Sequence, residues 1–241
     1  MEYADFLRTM AAIYGEIETM ADDVARNGIA KDPNLDNKMG GYFVVLEHGP
    51  EFAKRAEKIS RSIADIVPAS IYRACNIHTT LGSFRYVPNT SINPDNPVYG
   101  KILEDLSRAV FRAICRFGPR EIYIDYPGYL YTPHVVLAEG VPDERFVSLM
   151  DRVVSACGDI GIDLQPGWGA HVTLARFTGA AQPEKIGDFR KLIANTDPLG
   201  KGVSVAVKIG YALWEPNSAH QDLALEEARG HFATYRRIPF F

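Results

Sequence analysis

Two short stretches of this chain carry the same residues: HTTLGSF at 78 to 84 and HVTLARF at 171 to 177, both reading His-x-Thr-Leu-x-x-Phe. Given the first copy, a matching second one at any of the remaining histidines is roughly a one-in-a-thousand coincidence at average residue frequencies, so the repeat is taken as real. The residue types suit proton transfer around an anionic group. Histidine ionises near neutrality, so one ring can accept a proton while its charged partner donates one. A threonine hydroxyl can donate to the non-bridging oxygens of a phosphodiester. His78 and His171 are therefore the candidate acid-base pair, and Thr80 and Thr173 the candidate phosphate clamp; the sequence leaves open which histidine is acid and which is base.

Side chains alternate along a strand. An ideal strand puts His78, Thr80, Gly82 and Phe84 on one face and Leu81 behind, and likewise His171, Thr173, Ala175 and Phe177 on one face with Val172, Leu174 and Arg176 behind. Leu81 and Leu174 then read as core anchors. Phe84, Phe177 and Trp168 (in QPGWGAH) are candidates for stacking a nucleobase, against the commoner role of such rings as core. Arg176 is a further candidate substrate contact, reaching the groove only if its strand bulges; otherwise it suits a structural ion pair. His134 opens a similar strand but has Val136 in the threonine's place, so it reads as a core or groove-edge residue, and Tyr131 lies near enough in the chain to reach the groove. His48, beside Gly49-Pro50, reads as a turn residue, and Arg236-Arg237 as a solvated pair.

Hydrophobic period defines the elements that must position these residues. Phe6, Met10, Ile13, Ile17, Met20 and Val24 predict an amphipathic helix over 1–26, ending near Asn27-Gly28. KDPNLDNKMGG reads as a loop, GYFVVLE (41–47) as a strand, and Pro50 opens a helix running to about Ile66. After the first motif strand, 87–97 predicts a loop and 98–117 a helix stopped at Gly118-Pro119. EIYIDY and YLYTPHVVLAE predict a hairpin-like pair turning at Pro127-Gly128. A helix over 143–157 precedes the second motif; a helix over 183–195, a strand over 203–214 and a last strand in HFATYRRIPF follow it. The repeated strand-helix-strand order predicts an α+β fold of two pseudo-symmetric lobes around a central groove. Residues 1–39 read as an N-terminal helical extension and 40–241 as one domain of two lobes; the extension and the segment after 215 are candidates for a lid or a dimer contact, and 87–97, leaving the first motif strand, for a border of the groove.

Composition narrows the partners. With 241 residues, 46% of them apolar, the chain can bury a substantial core. A net charge of −4 argues against coating long nucleic acid, which takes a dense basic stripe, and leaves room for a small anionic ligand. Cys75, Cys115 and Cys157 are odd in number and lack C-x-x-C spacing, which fits a reducing cytoplasm. No apolar run is long enough for a membrane span and MEYADFLRTM is no signal peptide, so a cytoplasmic protein is expected. No HExxH or similar spacing suggests a metal, and neither metal nor cofactor is expected. The oligomeric state is open.

The paired motifs resemble those of the two-histidine (2H) phosphoesterases, which are related to the bacterial RNA 2′,3′-cyclic phosphodiesterases and 2′-5′ RNA ligases. HTTL at 78–81 and HVTLAR at 171–176 carry the likeness, which spans about residues 40–214. It implies a bilobal protein whose two His-x-Thr strands line one groove and cleave a phosphodiester without metal, with His78 and His171 as acid and base and Thr80 and Thr173 on the phosphate. Ala170 stands where a proline is common in that family. The expected function is hydrolysis of a cyclic phosphate or 2′-5′ phosphodiester in a nucleotide or short RNA. The alternatives are a nucleotide-binding module without turnover and an RNA-end 2′-5′ ligase.

Overall fold

The structure, a computed structural model, describes residues 1–35, 39–88, 97–118, 121–213 and 232–240. Residues 214–231, with His220 and His231, and most of the 87–97 loop lie outside the described residues.

Helix α1 (Tyr3–Asn27) buries Phe6, Met10 and Val24 of the predicted stripe and Tyr14 beside them, while Ile13 and Ile17 are half-buried and Met20 is exposed; it ends at Gly28, whose positive φ of 81° turns its N–H back onto the Val24 carbonyl at 2.9 Å. The first half then runs β1 (Met39–His48), α2 (Pro50–Ala64), β2 (His78–Pro88), α3 (Pro97–Phe117) and β3 (Ile122–Tyr131). The second half repeats that order as β4 (Val135–Pro142), α4 (Glu144–Gly158), the two-residue β5 (Gln165–Pro166), β6 (Val172–Arg176), α5 (Pro183–Asn195) and β7 (Gly200–Leu213); β8 (Phe232–Pro239) follows as an edge strand on β7. Pro50 and Pro183 open α2 and α5 where no N–H is needed, and the Asp143 carboxylate caps α4 by accepting from the Phe146 N–H at 3.1 Å.

All strand pairings among the described residues are antiparallel: β1 joins β2 and β7, β4 joins β6 and β3, β2 meets β6, and β3 meets β7. Exchanging the halves maps β1 onto β4, β2 onto β6 and β3 onto β7 with each of these pairings kept. The two motif strands therefore meet on a pseudo-twofold axis, and the strand path closes on itself. The helices cross between halves: α2 packs on β6 and α5, while α4 packs on β2 and α3. Each motif strand thus rests on a helix from the other half. Two α+β lobes flank a shared centre, as the repeat predicts.

Residues 1–35 share this core. Phe6 meets Phe146 of α4 with ring centroids 5.7 Å apart, the Tyr3 hydroxyl donates to the Pro142 carbonyl at 2.7 Å, and the Asp32 N–H donates to the Phe177 carbonyl at 2.8 Å. Among the described residues no helix is long and apolar enough to cross a membrane.

One expected turn is displaced. Strand β3 runs through Pro127-Gly128 without reversing, and the chain turns at 132–134 instead. Asp125 pairs with Val141 and Gly128 with Glu139, so Tyr126 and Pro127 together oppose Gly140. This is a bulge, where the missing N–H of proline breaks no ladder bond.

Two glycines seat the segment that delivers His171. A Cβ on Gly140 would overlap the Ala170 carbonyl, and one on Gly167 would lie 2.5 Å from the Thr80 carbonyl oxygen. Gly140→Ala should therefore lower unfolding free energy by about 2 kcal/mol or more, since a rigid backbone cannot yield to the added methyl. Gly187→Ala in α5, where no described atom beyond the helix's own backbone lies within 4 Å of the added carbon, should be neutral or stabilising. Urea titration of both variants checks this; equal behaviour would contradict it.

Candidate active site

The motif strands meet in one register: Thr79 of β2 pairs with Val172 of β6. These are the middle residues of the two His-x-Thr segments, and both are fully buried. The antiparallel ladder then sets His78 beside Thr173 and Thr80 beside His171 on the opposite, partly exposed face. The two histidines occupy one diagonal of this four-residue array and the two threonines the other. Diagonal neighbours in such a pair stand roughly 7 Å apart, a gap that two inward-turned imidazoles can narrow to the width of one tetrahedral anion.

Both motif strands bulge at the same place. Val45 pairs with Thr80 and Val44 with Gly82, which leaves Leu81 as the extra residue; Leu137 pairs with Thr173 and Val136 with Ala175, which leaves Leu174. Both leucines are fully buried, as anchors should be. The extra residue inverts the side-chain alternation beyond it. Phe84 consequently shares a face with Thr79 and stacks on buried Tyr42 at 6.1 Å, and Phe177 is fully buried against Phe189 at 5.7 Å. Neither ring lies on the histidine face, which corrects the expectation that they stack a base. The same inversion brings Arg176 onto that face, since its partner Val135 alternates with Leu137, the partner of Thr173.

Arg176 also forms the structural pair its type suggested. Its guanidinium bonds the buried carboxylate of Asp32, and its Nε–H donates to the Tyr72 hydroxyl at 3.2 Å. The loop after α1 thereby holds a cation beside the histidines.

The two rings are oriented by different means. The Nδ1 of His78 lies 2.7 Å from the Asn76 carbonyl oxygen; a carbonyl only accepts, so Nδ1 carries the proton and Nε2 of the neutral ring keeps its lone pair. His171 stacks on Trp168 at 4.1 Å with 25° between planes. Burial pushes both imidazoles below their usual range. His78 falls to about 4, its bond to Asn76 opposing the shift and the Lys208 and Arg176 charges adding to it. His171 falls to about 3, with the proximity of His78 and Arg176 adding to burial.

Two polar groups escape a reading of the sequence alone. His48 is no turn residue: it is buried at the end of β1, and its Nε2 lies 2.9 Å from the Thr79 hydroxyl and 3.1 Å from that of Tyr126, which are themselves 2.7 Å apart. This triangle ties β1, β2 and β3 together beneath His78. Burial, with His78 nearby, lowers the His48 pKa to about 3. Lys208 faces Val45 on β7 and donates to the Cys75 carbonyl at 3.2 Å and to Glu47 at 3.0 Å. A lone lysine inside the apolar run VSVAVKIGYALW is the signal the sequence offers for it. Arg236 and Arg237 are both exposed, as expected, and Arg237 pairs with Glu47 at the surface. His134 sits in the turn before β4, and Tyr131 packs on Phe189 at 5.3 Å. Among the described residues, no three His, Cys, Asp or Glu side chains group so as to hold a metal ion.

No protein-family model and no curated protein matches the sequence. Solved structures do match the fold. TT0787 of Thermus thermophilus aligns over 83% of this chain and 97% of its own at 14% identity, with a TM-score of 0.52. A phosphoesterase crystal structure aligns over 84% of this chain and 98% of its own at 13% identity and a TM-score of 0.50. The chain shares the fold of these two structures. LigT of E. coli, solved with 3′-AMP, aligns over 84% of this chain and 98% of its own at 14% identity and a TM-score of 0.49.

The depressed histidines of this fold carry a pH signature. Their folded pKa values lie below the unfolded value near 6.5, so the unfolded chain binds protons first as pH falls. The stability contributed is complete above about pH 6.5 and is lost on descending through 6.5 toward 4 and 3. Ring-proton NMR should find His48, His78 and His171 neutral at about pH 6, with the denaturation midpoint dropping between about pH 7 and 5. Titration of these rings at or above 6.5 would contradict the assignment.

Proposed function

We propose that the chain is a metal-independent phosphodiesterase that opens a 2′,3′-cyclic phosphate, or cleaves a 2′-5′ linkage, in a nucleotide or short oligonucleotide. The observation that carries this reading is the array at the strand crossing, which sets two imidazoles on one diagonal and two hydroxyls on the other. With phosphorus at its centre, Thr80 and Thr173 donate to the non-bridging oxygens. His78, whose Nε2 lone pair is set by the bond from Nδ1 to Asn76, takes a proton from water as its oxygen attacks phosphorus. The bond from phosphorus to a ribose oxygen breaks, and protonated His171 supplies the proton to that leaving oxygen. Arg176 adds positive potential on the same face. The incoming phosphate reverses the electrostatic bias on His171, since an adjacent anion favours the imidazolium.

The test uses purified protein with EDTA and the four nucleoside 2′,3′-cyclic monophosphates alongside 2′-5′-linked diadenylate. Turnover should survive chelation and show a bell-shaped pH profile. His78→Ala and His171→Ala should each lose on the order of 100- to 10,000-fold in kcat. Removing the base should abolish the rising acid limb, and removing the acid the falling alkaline limb. Activity abolished by EDTA, or retained in either variant, would refute the proposal.

A further inference from the structure

Trp168 is 40% exposed, an unusual position for so large an apolar ring, yet its surroundings fix it firmly. The strand before it pairs with β2 through Gln165 and Pro166, the Gly167 N–H donates to the Leu81 carbonyl at 2.9 Å, and Gly167 lies too close to the Thr80 carbonyl to carry a Cβ. On its other side, Gly169 lies against α1, where an added Cβ would come 3.3 Å from the Tyr14 hydroxyl and 3.4 Å from Met10. Between these anchors the indole lies over the His171 ring, and Tyr14 braces it edge-on with centroids 5.9 Å apart. Tyr14 is itself fixed, exchanging hydrogen bonds with the Gly140 backbone at 3.3 and 3.4 Å.

The contrast with His78 gives this arrangement its meaning. His78 is oriented by a hydrogen bond at Nδ1, whereas Nδ1 of His171 is buried with no hydrogen-bond partner among the described residues. An imidazole held by neither bond nor stack would rotate about its side-chain torsions and lose its aim across the strand pair. We infer that Trp168, braced by Tyr14 of α1, is the positioning residue of His171, its stacked indole doing the orienting that a backbone carbonyl does for His78. The indole face also favours the imidazolium form, the form that donates a proton. The N-terminal helix is thereby part of the device that orients the acid, and the indole has a task that calls for no stacked nucleobase.

This inference rests on the proposed role of His171, so Trp168→Leu and Trp168→Phe are assayed beside His171→Ala on the same cyclic nucleotides, with ring-proton NMR of each protein. Trp168→Leu should lower kcat on the order of 100-fold, the effect of misplacing a catalytic group by about 1 Å, with KM nearly unchanged. Trp168→Phe should recover most of that loss. The His171 ring signals should move in the leucine variant while those of His78 stay, a readout that needs no turnover. A raised KM with intact kcat would make Trp168 a ligand platform, and unchanged kcat with unmoved His171 signals would make it merely structural; either overturns the inference. Full activity in His171→Ala would instead overturn the reaction assigned above.

Discussion

The pairing of Thr79 with Val172 is the constraint on which the rest of the molecule depends. These residues stand at the pseudo-twofold axis, and a one-residue slip of either strand there would turn its own motif histidine and threonine into the core. Several features guard the register. The Thr79 hydroxyl, buried on the core face of the pair, is satisfied by closing a triangle with His48 and Tyr126. A buried leucine bulge follows each motif, and α2 and α4 press on the motif strand of the opposite half. Crossed helices make each lobe's packing depend on the other, so the groove and the core are specified together.

The electrostatics follow from that geometry. Rings drawn partly into a protein surface, next to each other and beside cations, resist protonation, and His78 and His171 are both depressed. Arg176 is tied to Asp32 and Lys208 to Glu47, so these positive charges are fixed near the histidines before any ligand arrives. Such a face suits the proposed phosphate: the charge that would let the imidazoles take up protons is the same charge that the Thr80 and Thr173 hydroxyls are proposed to hold. Preorganised donors of this kind stabilise developing charge without reorganising at the moment of reaction.

Much of this was legible in the letters. His-x-Thr-Leu occurs twice because two strands must supply the same groups to one point, and identity of residues survives in sequence where identity of position does not. Helix α1 was legible from its apolar period, but its partners were not, so Tyr14 and Asp32 gained their roles only with the fold. The bulges at Leu81 and Leu174 were invisible because a bulge is a property of two paired strands, and Phe84, Phe177 and Arg176 changed faces as a result. His48 beside Gly-Pro carries the signature of a turn; only the hidden face of the first motif shows that its ring has a hydroxyl partner. Lys208 stood out as one charge in an apolar run, yet its partner Glu47 lies on another strand.

Whether both imidazoles grip one anion can be measured without knowing the substrate. Titrating inorganic phosphate into protein labelled with nitrogen-15 at histidine should move the His78 and His171 ring signals together along one isotherm, with a single dissociation constant and both shifts toward the protonated form. Shifts confined to one ring, or two rings following different dissociation constants, would mean that the histidines do not share a phosphate site.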